Sequence, residues 1–184
     1  FHNSTVDAIP VDDGSLDFGY SLGVLHHIPD TQAGIKACVE KLKPGAPLLI
    51  YLYYNFENRS WWFQALWRGS DLFRIIISRF PYNLRYISSQ VIAILIYFPL
   101  ARFSRILEII GFNVSEFPLS AYRSRSFYTM RTDSLDRFGT TLEQRFSRDE
   151  IKNMMVKAGL ERIKFSSTEP FWCGIGYRCS QAND

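Results

Sequence analysis

LDFGYSLGVLHHIPDTQAGIKACVEKLKPGAPLLIYLY, Leu16 to Tyr53, is the stretch on which the fold turns. Leu16–Ser21 reads as a short strand, closed off by Gly23 and Pro29. From Asp30 the pattern becomes helical. Asp30 is a capping residue, and Ile35, Cys38, Val39 and Leu42 recur at helical spacing. LKPGA (Leu42–Ala46) stops the helix: Lys43 suits its negative end, Pro44 cannot continue it, and Gly45 opens the turn. Pro47–Tyr53 is then almost continuously apolar, as a strand buried on both faces of a parallel sheet must be. Strand, helix, strand is one βαβ unit, with a right-handed crossover expected.

Upstream, Phe1–Val6 (FHNSTV) reads as the tail of a strand already under way, followed by DAIP (Asp7–Pro10) and the turn residues Asp12, Asp13, Gly14 and Ser15. The chain does not begin with Met, and the expectation is that it starts partway into its fold. Downstream, Trp61–Phe112 carries aromatic and branched aliphatic residues at helical spacing. Pro81 and Pro99 divide it and Gly111 ends it, so two to four helices are expected. Gly111–Phe146 is polar and reads as loop, with SAYRSRSFYTMRTD (Ser120–Asp133) at its heart. Ser147 and Glu150 form a capping box ahead of a helix ending at Ala158, with Gly159 beyond it. Leu160–Ser166 alternates as a strand, and Phe171–Cys179 reads as a closing one.

The bulk numbers bound the function. With 184 residues, 47% of them hydrophobic, the chain can bury a core, and a net charge of +3 gives no global field for nucleic acid. The charge is unevenly spread. Between Asn55 and Arg148 all thirteen basic residues are Arg, set against seven acids. Arg holds planar anions and stacks on aromatic rings better than Lys, though a solvated basic face reads the same way. Cys38, Cys173 and Cys179 lack CxxC spacing and form an odd set, which indicates free thiols in a reducing compartment and a cytoplasmic protein. The longest uncharged run, Tyr86–Ala101, is short for a membrane span and fits a buried or membrane-surface helix.

Four segments, in order, resemble the latter part of class I S-adenosylmethionine-dependent methyltransferases: VDAIPVDDGSLD (Val6–Asp17), SLGVLHHIPD (Ser21–Asp30), LKPGAPLLIY (Leu42–Tyr51) and RFSRDEIKNMMVKAGLERIKF (Arg145–Phe165). Ala46 replaces the second glycine of the family's L-K-P-G-G turn. The resemblance implies an α/β fold with a Rossmann-like, mostly parallel sheet whose N-terminal strands are missing. It also implies a helical insert after the fifth strand, at about residues 55–130 of a single 1–184 domain. The family's glycine-rich G-x-G-x-G loop and its ribose-holding acid have no counterpart here, consistent with a truncated sequence.

The resemblance further implies S-adenosyl-L-methionine as cofactor and a small-molecule acceptor. It places Asp7 on the adenine amine with the Ala8 backbone beside it, and Leu22 and Gly23 beside the methionine portion. His27 matches the histidine common in this loop, and His26 and His27 are the candidate bases. A metal is not expected, because His2 has no ligand-like spacing to the pair. The adjacent side chains would diverge on an extended backbone. The aromatic insert is the expected acceptor cap, with Tyr122, Arg123, Arg125 and Tyr128 as candidate contacts. Two rivals stand beside this reading: a membrane-surface enzyme for a lipid or quinone-type acceptor, supported by Val91–Leu100 with Arg102 and Arg105 at its end, and a noncatalytic degenerate half-domain. The insert could equally be plain core or a homodimer face.

Overall fold

A computed structural model describes residues 2–168 and 170–180. The chain divides into two compact units, Phe1–Glu57 with Leu142–Asp184, and Asn58–Thr141.

The first unit is built on the predicted βαβ. Strand β1 (Gly19–Leu22) pairs in parallel with β2 (Pro47–Tyr51), and helix α1 (Thr31–Lys41) is the crossover between them. The Asp30 carboxylate accepts a hydrogen bond from the Ala33 N–H at 2.9 Å, capping α1 as its sequence requires. After α6 (Arg148–Lys157) come β3 (Leu160–Phe165) and β4 (Gly174–Arg178). The sheet order is β1-β2-β4-β3, with β4 antiparallel to both neighbours. Three of the four strands therefore run in one direction, and the fold is the expected α/β class.

β2 is an inner strand, paired with β1 and β4, with one face fully buried and the other half-buried. Leu48, Ile50 and Leu52 are fully buried, packed with Ile35 and Val39 of α1 and with Ile151 and Met155 of α6. Gly174 and Gly176 of β4 serve this packing. A Cβ on Gly176 would sit 3.1 Å from both Leu160 Cβ and Met155 Cε, and one on Gly174 would sit 2.8 Å from the Phe165 ring. The capping box of α6 forms in full: the Ser147 hydroxyl accepts from the Glu150 N–H, and the Glu150 carboxylate accepts from the Ser147 N–H at 2.7 Å. Gly159, at φ 91°, ends the helix as its position predicts.

The second unit contains α2 (Trp61–Ile77), α3 (Tyr82–Ile92), a π-helical turn at Ala93–Tyr97, α4 (Phe98–Ile109) and α5 (Phe127–Gly139). Its core gathers Ile77, Tyr97, Ala101, Met130 and Phe138.

Three expectations are corrected. Pro99 does not divide the helical run; it lies in the first turn of α4, directly after the π turn, and the backbone stays helical through Tyr97 and Phe98. The stretch read as loop contains α5. Its apolar signal is sparse, but Met130, Ser134 and Phe138 recur at four-residue spacing and are buried, and the Ser126 hydroxyl caps the helix by accepting from the Thr129 N–H. The strand expected at the start is not formed over residues 2–5, and Phe1 lies outside the described residues. A strand exists only where a neighbour hydrogen-bonds it, and the Ala8 N–H instead bonds the Thr5 carbonyl, closing a 3₁₀ turn at Val6–Ala8.

Replacing Ser147 by Ala removes the capping acceptor. The expected loss is about 1 kcal/mol, read as a thermal midpoint lowered by about 2–4 °C for a chain of this size.

Candidate functional site

The carboxyl ends of β1 and β2 lie side by side, tied where the Gly23 N–H donates to the Tyr51 carbonyl at 2.9 Å. Gly23 leaves β1 at φ 71°, a conformation that disfavours a Cβ, although a Cβ there would meet nothing within 4 Å. The glycine is thus demanded by backbone geometry, and the space beside it is open. Leu22, immediately before, is half exposed.

The chain then enters a 3₁₀ turn, Leu25–His27, so the two histidines do not diverge as on an extended strand. Their ring centres are 4.1 Å apart. His26 is completely buried and stacks on Tyr53 at 3.8 Å between ring centres. Neither of its ring nitrogens has a hydrogen-bond partner among the described residues. Burial, reinforced by His27 and by Arg145, pushes its pKa from 6.5 down to about 3. His26 is therefore a neutral ring at ordinary pH.

His27 is placed differently. It is half buried, and its Nδ1 lies 2.9 Å from the Leu142 carbonyl oxygen. A carbonyl only accepts, so Nδ1 carries the proton and the lone pair sits on Nε2. This is the tautomer a base acting through Nε2 needs.

A segment near residue 144 fastens the turn. The Gln144 N–H donates to the His26 carbonyl at 3.0 Å, and its side-chain amide donates to the Ile28 carbonyl at 2.6 Å. The Thr31 hydroxyl donates to the Leu25 carbonyl at 2.9 Å. Arg145 lies over the rings of Tyr53 and Phe56, ion-pairs with Glu143 at 2.9 Å and donates to the Tyr54 carbonyl at 3.1 Å. Tyr51, whose hydroxyl pKa is raised chiefly by burial and then by Tyr53, completes the aromatic floor. Gln144, Arg145, Tyr51 and Tyr53 are members that sequence reasoning missed. The run YLYY at Tyr51–Tyr54 was their visible signal, but the far-off Leu142–Phe146 segment gave none.

Asp7 and Ala8 sit in the exposed Val6–Ala8 turn, which packs on α1, as the Leu25–His27 turn does. The Asp7 carboxyl is held below the usual range by the Thr5 side chain and by its own backbone N–H. It is thus an ionised acceptor facing water. Leu22, Gly23, His26 and His27 are brought together at the strand ends.

Tyr122, Arg123, Arg125 and Tyr128 belong to the second unit. The Tyr122 ring is edge-on to Tyr97, 5.3 Å between centres. Arg123 donates to Glu108 at 2.8 Å and to the Ser120 carbonyl at 3.0 Å. Arg125 and Tyr128 are exposed. Among the described residues no three His, Cys, Asp or Glu side chains converge as a metal site would require, and all three cysteines are free.

Between pH 6.5 and 3 the folded chain leaves His26 neutral while an unfolded chain protonates it, so His26 makes stability fall as the pH drops through that window. The slope approaches about 1.4 kcal/mol per pH unit. Urea unfolding from pH 7 to pH 4 should give a flatter profile for His26→Phe than for the parent. Parallel profiles would assign the acid sensitivity to other groups.

A family model for a methyltransferase domain matches residues 1–50. Among the solved structures that the chain matches is a SAM-dependent methyltransferase from Thermotoga maritima, at 13% identity over 95% of this chain and 62% of that chain, with a TM-score of 0.44. A second, from Methanosarcina mazei, is 14% identical over 97% of this chain and 66% of that one, with a TM-score of 0.43. The chain thus spans less than two thirds of the length of either structure. No curated protein sequence matches it significantly. Residues 1–50 are thus similar to a methyltransferase domain, the family that the DAIP, HH and LKPG motifs resemble.

Proposed function

We propose that the protein transfers a methyl group from S-adenosyl-L-methionine to a small-molecule acceptor. The observation that carries the reading is the open strand end at Gly23, lying inside the segment matched to a methyltransferase domain. Two features of the chain fit the cofactor. Gly23 presents bare backbone to open space, as close approach of a ligand requires. Asp7 offers an ionised carboxylate, and a charged acceptor strengthens a hydrogen bond from an amine such as that of adenine. Asp7, Ala8, Leu22 and Gly23 are the residues assigned to hold it.

S-adenosylmethionine supplies an already electrophilic methyl group when bound. The chain's own contribution is then mainly positional, because aligning the acceptor removes most of the entropic barrier. His27 can take a proton at Nε2 from an acceptor that must lose one, its tautomer fixed by the Leu142 carbonyl. His26 supports that ring from the interior and keeps the turn packed on Tyr53. Tyr122, Arg123, Arg125 and Tyr128 remain the proposed acceptor contacts. Of these, Arg125 and Tyr128 are exposed, while Arg123 would bind an acidic acceptor only in exchange for Glu108.

Calorimetric titration of S-adenosylhomocysteine into the protein expressed from its whole open reading frame tests the reading. Binding is expected, with affinity reduced several-fold by Asp7→Ala. Absence of binding by the parent protein rejects the methyltransferase function, whereas unchanged affinity in the variant removes Asp7 from the site.

A further inference from the structure

The second unit exposes much apolar surface and buries several polar side chains beside its apolar core. Its buried side chains include Arg74, Ser78, Ser89, Ser104 and Ser134, and all five are hydrogen-bonded there. On the inward side of α3, the π turn and α4, the small residues Ser89, Ala93, Ala101 and Ser104 flank the buried Tyr97 ring and let helices approach closely. The outward side is the greasy one. On α2, Leu72 and Phe73 are each 64% exposed; along the next helical run, Leu95 is 68% and Ile109 is 74% exposed. Trp61, at 81%, stands at the start of α2. A water-facing helix ordinarily reverses this arrangement. So broad an apolar surface marks an interaction face.

Charge identifies what that face meets. Residues 58–141 hold eleven arginines and no lysine against five acids, an excess of six positive charges, whereas the rest of the chain has more acids than bases. Several arginines stand one helical turn from an exposed aliphatic: Arg68 from Leu72, Arg79 from Ile76, Arg105 from Ile109. All three are exposed. Such side chains can lay their stems along an apolar surface and raise the guanidinium to a layer of phosphates. A second copy of this chain would bring one positive surface against another. An anionic lipid surface attracts it instead, and accepts Trp and Tyr at headgroup depth. No helix among the described residues is long and apolar enough to cross a membrane, and apolar faces flanked by basic residues suit docking in the plane of the surface.

We infer that residues 58–141 dock on an anionic lipid bilayer, with the outward faces of α2 and of the α3–α4 run entering the headgroup–acyl boundary and the exposed arginines on lipid phosphates. The inference stands independently of methyl transfer.

Flotation with vesicles, in the absence of any cofactor, tests it. Vesicles of phosphatidylcholine with about one third phosphatidylglycerol should bind the chain about tenfold more tightly than pure phosphatidylcholine, and salt should narrow the gap. Leu95→Glu with Ile109→Glu, both at exposed positions, should abolish flotation on either vesicle while leaving the far-ultraviolet circular dichroism unchanged. Arg68→Gln, Arg79→Gln and Arg105→Gln together should remove only the preference for the anionic vesicle. The inference is overturned if the parent chain floats with neither vesicle, if the Glu variant floats as well as the parent, or if the parent is a vesicle-indifferent dimer that the Glu variant converts to monomer.

Discussion

Parallel pairing of Gly19–Leu22 with Pro47–Tyr51 cannot be closed by a tight turn; it needs a crossover long enough to return the chain to the same end of the sheet. α1 is that crossover, and most of the first unit follows from it. The helix needs a cap, which Asp30 provides, and a stop, which Leu42–Ala46 provides. The strand it leads into buries Leu48 and Ile50 fully on one face and Pro47, Leu49 and Tyr51 in part on the other. Because both parallel strands end at the same edge, Gly23 and Tyr51 become neighbours there, and the histidine turn is carried to the same place.

The two histidines show how one dipeptide acquires two roles. The 3₁₀ turn points one ring into the interior, onto Tyr53, and leaves the other at the margin. Desolvation then makes His26 a stiff, uncharged packing element, while a single carbonyl fixes the tautomer of His27. A His–aromatic stack with unpartnered ring nitrogens is costly in polar terms. Here it is compensated by the bonds from Gln144 and Thr31 that hold the turn from outside.

The second unit obeys a different rule. Its interior is stitched by serine hydroxyls to backbone carbonyls and by Arg74, whose guanidinium bonds Asp71 and the Thr140 carbonyl. Small side chains share the interior with Ile77, Tyr97, Met130 and Phe138, and many other bulky apolar residues are left outside. Such a unit gains less from burying its apolar residues against itself than a water-soluble helical domain does. An apolar phase around it would supply the difference.

The sequence by itself determined the elements whose signals are local: the cap at Asp30, the LKPGA stop, the Ser147–Glu150 box, the apolar β2 and the turn at Gly159. Each rests on backbone chemistry within a few residues, so no tertiary knowledge was needed. Asp7, Leu22, Gly23 and the histidine pair were singled out by their place in a motif, and the structure brings Leu22, Gly23, His26 and His27 to one sheet edge. Tertiary structure decided what depends on distant partners. α5 was concealed because its buried stripe includes Ser134, and a serine reads as loop until its hydroxyl meets the Ser89 carbonyl across the unit. The initial strand failed because no neighbour supplied its hydrogen bonds. The placing of Gln144 and Arg145 beside His26 and Tyr53, more than ninety residues away in sequence, was invisible for the same reason: long-range proximity is fixed by packing, which spacing along the chain does not encode.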